Sequence, residues 1–333
     1  MVDVPPLDAL ASTVRDHPSI GIHRSQGVAW QTPRLHPATA DVVIVEDHGG
    51  FAFGGNKVRH LDLILGLARN EGADVAITAA GAQSNLCRVL AAACCYVGMD
   101  VHLVQRGDQP WNNTGNQALY ELTGASVDRV ATDDPFSEAQ DQLVAALAER
   151  YRGSGRRPFI VDVRREHAPV SALAQTQLLA EVDLPWVPDT LVVAASAGST
   201  AAGLLLSVAV RGWHTRLLAV SASIEAATLR RRVLRIAERA ATAAGFDAEP
   251  LRLGERLFVT DEFLGGGHGV RTASATAAAT HTARQSGIFL DGTYTGKAMA
   301  ALLAQPSPGR TCFIHTGGGP TIFLDPTTQG APT

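Results

Sequence analysis

The feature that most constrains this 333-residue chain is the regular alternation of short β-branched runs with longer stretches of helical period. Val75-Ala76-Ile77-Thr78-Ala79, Val101-His102-Leu103-Val104-Gln105, residues 127–130 and residues 159–163 read as strands. Between and beside them, residues 58–70, a small-residue stretch ending at Val97, and residues 113–124 and 137–150 read as helices. Strand, helix, strand in this order builds a parallel sheet with right-handed crossovers, and one such unit is expected over residues 58–163. A second set follows: helix 170–182, strand 190–194, helix 201–210, strand 217–221, helices 224–244 and 272–286, and strand 311–315. Prolines 5, 6, 18, 33 and 37 make residues 1–40 read as an irregular arm, and the tail after Asp325 reads as disordered.

The length allows one large α/β unit or two interlocked domains. A hydrophobic content of 46% with 18% charged residues describes a globular chain, and a net charge of −4 gives no electrostatic footprint for nucleic acid. No apolar run approaches the roughly 20 residues of a membrane span, and residues 1–11 lack the basic and apolar regions of a signal peptide. A cytoplasmic protein that acts on small molecules, without nucleic-acid or membrane partners, is expected. Cys87, Cys94, Cys95 and Cys312 have neither CxxC spacing nor histidines at metal-ligand intervals. Buried free thiols are expected, with no metal site and no disulfide framework.

Only two lysines occur, Lys57 and Lys297, in a chain whose other basic residues are arginine. A lysine kept where arginine is the habit suits work that needs a primary amine, such as forming an imine with an aldehyde, because a guanidinium stays protonated. Gly54-Gly55-Asn56 breaks the chain just before Lys57, which therefore opens a helix, where burial and the positive helix end both disfavour the ammonium form. Gln83-Ser84-Asn85 lies beyond a strand's carboxyl end at the mouth of a helix, where open α/β sheets place ligands. Ser196-Ala197-Gly198-Ser199-Thr200 is a small-residue turn into a helix, able to hold a phosphate through backbone N–H groups. His268 sits in the glycine loop 265–269 as an active-site acid/base or as an exposed side chain, and Glu46-Asp47-His48 ends a strand as a solvated loop or as a metal or acid/base cluster.

Phe53-Gly54-Gly55-Asn56-Lys57, Gln83-Ser84-Asn85, the turn 196–200, Tyr294-Thr295-Gly296-Lys297 and Phe313-Ile314-His315-Thr316-Gly317-Gly318 together resemble, in order, the motifs of D-cysteine desulfhydrases. The related 1-aminocyclopropane-1-carboxylate deaminases share much of this pattern, and both are pyridoxal phosphate enzymes of the tryptophan synthase β type, fold type II. The resemblance implies that Lys57 carries pyridoxal 5'-phosphate as a Schiff base and that Asn85 meets the ring 3′-oxygen. It further implies that Ser196, Ala197, Gly198, Ser199 and Thr200 cradle the phosphate, with Thr316 near the pyridine nitrogen. Ser84, with Gln83 and Asn85, would meet the substrate carboxylate or help proton transfer. Tyr294 and His268 would face the substrate, and Lys297 would be structural.

The chain departs from the family at Val45-Glu46-Asp47-His48, where relatives resemble Lys-Arg-Asp-Asp, and at Gly267-His268-Gly269, where a Gly-Tyr-Gly loop is common. Thr295 resembles the desulfhydrases; the cyclopropane deaminases tend to have glutamate there. The expectation is a two-domain α/β enzyme with the cofactor between a large domain (1–57 and 164–333) and a small one (58–163), as a homodimer. Its expected reaction is α,β-elimination on a small cysteine-like amino acid, giving keto acid and ammonia. Cyclopropane deamination and β-replacement in specialised biosynthesis are the alternatives, with a catalytically silent small-ligand binding protein as the non-enzyme reading.

Overall fold

The computed structural model describes residues 7–23, 30–33, 35, 41–47, 50–107, 114–132, 134, 137–245, 247–305 and 309–324. In chain order the strands among them are β1 (Trp30–Gln31), β2 (Val42–Glu46), β3 (Val75–Gly81), β4 (Asp100–Arg106), β5 (Ser126–Val130), β6 (Pro158–Ile160), β7 (Thr190–Ala195), β8 (Arg216–Ser221), β9 (Leu257–Thr260) and β10 (Thr311–His315). They form a six-stranded sheet of order β1-β2-β10-β7-β8-β9 and a four-stranded sheet of order β5-β4-β3-β6. Every pairing is parallel except β1 with β2.

Both sheets are covered on both faces, which is why their central strands are nearly continuous apolar runs. In the larger sheet Val43, Val45, Leu191, Val193, Cys312 and Ile314 share a core with helices Ala168–Thr176, Ser199–Val210 and Ala226–Ala243. The alternate residues Val42, Ile44, Val192, Ala194 and Phe313 point the other way, onto Ala278, Ala298 and Met299 of helices Ala273–Ser286 and Thr295–Ala304. In the smaller sheet Ala76, Val101 and Leu103 pack on Leu61, Ile64 and Leu65 of helix Lys57–Asn70 and on Leu90 of helix Asn85–Val97. Its opposite face, with Val75, Ile77 and Val104, packs on Val144 and Leu147 of helix Glu138–Gly153. The α/β class and its two helix-flanked parallel sheets agree with the sequence reading.

Several local expectations are corrected. The amino-terminal segment is not irregular throughout: Leu7–Arg15 is a helix that buries Leu10 and Val14, one turn apart. The prolines bracket this helix rather than interrupt it. Residues 18–22 then lie against helix Lys57–Asn70, where Ile20 N donates to the Asp62 carbonyl at 3.1 Å and Ile22 N to Asp62 Oδ1 at 2.8 Å. A Cβ on Gly66 would fall 2.2 Å from the Pro18 backbone, so this docking requires glycine. The helix expected at 170–182 is two, Ala168–Thr176 and Leu178–Glu181. Of the four free cysteines, Cys95 is exposed, because it follows buried Cys94 around the helix by about 100°. His48, Gly49, Asn113 and the tail from Asp325 lie outside the described residues. No helix among the described residues is long and apolar enough to cross a membrane.

Candidate active site

The carboxyl ends of strands from both sheets open onto one cavity of about 700 Å³. Lys57, Gln83, Ser84, Asn85, the turn Ser196 to Thr200, His268, Tyr294 and Thr316 all line it. The structure therefore brings these residues to a single place, from segments more than 200 positions apart, whereas Glu46 and Asp47 do not line the cavity and Asp47 is buried against Arg59 instead of solvated.

Lys57 is the first residue of helix Lys57–Asn70, after Asn56 as N-cap. Its Nζ donates to Asn56 Oδ1 at 3.1 Å, and Asn56 Nδ2 donates to Thr200 Oγ1 at 2.7 Å, so one asparagine links the amine to the small-residue turn. The approach is tight. Gly55 has φ +97°, and a Cβ there would lie 2.9 Å from the Thr316 carbonyl oxygen, which also accepts Asn56 N at 3.1 Å. Burial lowers the Lys57 pKa from 10.5 to about 8, with the Asp47 charge opposing it. At pH 7.5 an amine of pKa about 8 is roughly one quarter unprotonated, against about one part in a thousand at 10.5. The site thus supplies a nucleophilic amine near neutrality.

Ser84 is the N-cap of helix Asn85–Val97, its Oγ accepting Leu86 N at 3.1 Å and Cys87 N at 3.4 Å. That leaves its O–H to donate toward a ligand. Asn85 Oδ1 accepts from Asn116 at 3.1 Å and Arg88 at 3.4 Å, which fixes its amide orientation. The Gln83 side chain turns to helix Gly115–Leu122: it donates to the Thr114 carbonyl and Gln117 and accepts Asn116 N at 2.8 Å. Its amide is thereby engaged by neighbouring residues of the chain.

Gly198, at φ +96°, is the N-cap of helix Ser199–Val210. The first-turn N–H groups of such a helix have no intrahelical partner and carry the positive end of the dipole. Any Cβ at Gly198 would press on Val233 Cγ2 at 3.3 Å. Ser196 Oγ donates to Ser223 Oγ at 2.8 Å, which holds the turn open. Across the cavity, Asp291 accepts the N–H groups of Thr293, Tyr294 and Thr295 and the Thr295 hydroxyl, at 2.7–2.9 Å, which locks Tyr294 in place. Burial, then Asp291, raises the Tyr294 pKa, so its phenol stays protonated. His268 packs edge-on to Tyr294 with ring centroids 5.7 Å apart. Burial, then the Arg106 and Lys297 charges, lowers the His268 pKa to about 4, so the imidazole is neutral at pH 7. Lys297 is fully buried, and its Nζ donates to the carbonyls of Leu264 (2.7 Å) and Gly267 (3.1 Å), pinning the His268 loop.

Asn56 entered the sequence reading only as part of the motif before Lys57, with no role of its own, and Asp291 and Arg106 had none. Adjacency to Lys57 and the Asp-x-x-Tyr spacing were the available signals for the first two; Arg106, at the end of a strand, gave none.

Residues 29–317 match the family described as pyridoxal-phosphate dependent enzymes. The chain belongs to that family. It is 32% identical over 295 residues to a D-cysteine desulfhydrase of Yersinia enterocolitica, spanning 84% of this chain and 86% of the relative. To a 1-aminocyclopropane-1-carboxylate deaminase of Burkholderia cenocepacia it is 30% identical over 292 residues, 83% and 85% of the two chains. A crystal structure of an ACC deaminase homologue superposes with a TM-score of 0.83 at 25% identity, covering 95% of this chain and 96% of the other. The protein is a pyridoxal phosphate-dependent lyase. Its own residues fit the cofactor: a primary amine of lowered pKa for the aldehyde, and a glycine-capped helix end for the phosphate.

Proposed function

We propose that the chain catalyses α,β-elimination on a small cysteine-like amino acid, as a D-cysteine desulfhydrase-like enzyme. With cysteine and water the products are keto acid, ammonia and sulfide. Pyridoxal phosphate, once bound, supplies an aldehyde for amine exchange and a ring that accepts the electron pair left at Cα. Lys57 would hold the cofactor through its amine and, once free, that amine would accept the Cα proton. The turn 196–200 would hold the phosphate, Asn85 Nδ2 would serve the 3′-oxygen, and Thr316 would serve the pyridine nitrogen. The Ser84 hydroxyl and the Gln83–Asn85 backbone orient the substrate carboxylate. Tyr294, protonated throughout the neutral range, donates to the departing group, with His268 beside it. Residues 58–163 form the smaller domain, and residues 1–57 with 164–333 the larger, in a cytoplasmic homodimer.

The observation that carries this reading is Lys57 itself, a half-buried amine of lowered pKa facing the phosphate turn across one cavity. Cyclopropane deamination is the second reading, favoured by the deaminase relative. Residue 295 argues against it: Thr295 is fully buried and donates to Asp291, offering the cavity no acid/base group. The test is turnover of D-cysteine, L-cysteine and 1-aminocyclopropane-1-carboxylate by the holoenzyme, with keto acid and sulfide both quantified. Sulfide equal to keto acid from one cysteine enantiomer supports elimination. Keto acid from the cyclopropane substrate alone would replace this reading with the second.

A further inference from the structure

One cation in the cavity has no part in the chemistry just described. Of the charged residues lining it, Asp141 and Asp162 are matched by Arg164 and Arg165. Arg232 stands at the phosphate turn, its Cγ 3.7 Å from where a Gly198 Cβ would be. The side chain of Arg106, at the carboxyl end of β4, makes no ion pair or hydrogen bond among the described residues. Its guanidinium lies across Gly81, where a Cβ would be 3.4 Å from Nη2, three residues before Ser84. Partial burial lowers its pKa, with the Arg164 charge adding to the effect and Tyr294, Cys87 and Asp134 opposing it. A half-buried guanidinium that opens onto the cavity keeps donors free for the anionic oxygens of a ligand.

Its position says which part of a ligand that is. Arg106 acts electrostatically on Tyr294 and His268, whereas the charge acting on Lys57 is Asp47. A substrate held at Lys57 through its amine carries its α-carboxylate close to that amine, against the Ser84 turn. Its β-substituent reaches further, toward Arg106, Tyr294 and His268. There the buried His268 Nδ1 also has no hydrogen-bond partner among the described residues.

We infer that Arg106 reads a negative charge on the substrate's β-substituent, so that the preferred substrates are amino acids carrying an anionic oxygen-rich leaving group, such as an O-phospho or S-sulfo group. The inference rests on the elimination reading above. The Cα proton passes to the Lys57 amine, the Cβ–O or Cβ–S bond breaks with its electron pair on the departing anion, and water releases the nitrogen as ammonia. The keto acid is the same as from cysteine, and no redox partner is needed.

The test compares O-phosphoserine with serine, and S-sulfocysteine with cysteine, in both enantiomers, on wild-type holoenzyme and the Arg106→Gln and Arg106→Lys variants. Keto-acid release gives kcat/KM, and calorimetry gives Kd for the same amino acids. Wild type prefers the charged member of each pair. Arg106→Gln lowers that preference roughly 10- to 100-fold, the order expected for losing one charge-assisted hydrogen bond, and Arg106→Lys restores part of it. Equal losses for charged and neutral members, or no wild-type preference, would overturn the inference. If no amino acid is turned over, the elimination reading fails, and the ratio of binding constants still decides the role of Arg106.

Discussion

Replacing Asp47 with asparagine probes how the lysine-bearing helix is anchored and how its amine is tuned. Asp47 and Arg59 are both about 2% exposed and meet at 2.6 Å, while Gln175 donates to the second Asp47 oxygen at 2.9 Å. Arg59 also meets Glu181 at 2.7 Å, but that carboxylate is shared with His23. Removing one partner of a fully buried pair costs about 3–5 kcal/mol, and because Glu181 keeps part of the compensation the loss should lie near 3 kcal/mol. The same change removes the charge that opposes burial at Lys57, so the amine midpoint moves below its value of about 8. Urea unfolding, read as a midpoint shift at constant slope, measures the first effect. The pH dependence of cofactor uptake by the stripped protein measures the second. A stability change under about 1 kcal/mol together with an unmoved or raised amine midpoint would refute this account of the cluster.

Further expectations follow from the same geometry. Gly55→Ala places a Cβ 2.9 Å from the Thr316 carbonyl at φ +97°, and should cost roughly 1–3 kcal/mol with loss of cofactor affinity, read by cofactor titration. Lys297→Met leaves the carbonyls of Leu264 and Gly267 without their donor, loosening the His268 loop, so KM should rise more than kcat falls in steady-state assays. Burial alone would raise the Glu181 pKa, but hydrogen bonds from His23 and Arg59 and the Arg59 charge outweigh it and leave it below 4.5. The folded state therefore binds this proton less readily than the unfolded chain. The stability it contributes is complete above that value and is lost as pH falls through the lowered folded one. Glu181→Gln should be less stable than wild type near neutrality, with the deficit narrowing under acid, as urea unfolding against pH would show.

The strand–helix alternation made the parallel architecture legible because strands covered on both faces are apolar at their centres, as residues 42–45 and 312–314 are. Strand Leu257–Thr260 escaped because it is a short edge strand with Phe258 45% exposed, so it carries no such signal. At the site, Lys57 and the turn 196–200 were legible from local chemistry: a rare amine and a run of small residues. The linkages that make them one site were not. Asn56 reaches Thr200 across 144 positions, and Arg106 enters the cavity only because β4 lies beside β3. Contacts of that kind are set by tertiary packing, which a linear pattern does not encode. Gln83 shows the converse, a polar residue in the right place whose side chain serves a neighbouring helix.

The central claim is that Lys57 is the residue to which the cofactor is attached. The most direct measurement is the visible absorption spectrum of purified holoenzyme before and after borohydride reduction, beside the Lys57→Ala variant, with peptide mass mapping of the reduced protein. The account predicts a Schiff-base band in wild type, its loss on reduction with the added mass on the peptide bearing Lys57, and no such adduct in the variant. An adduct on Lys297, or an unchanged band and adduct in Lys57→Ala, would contradict it.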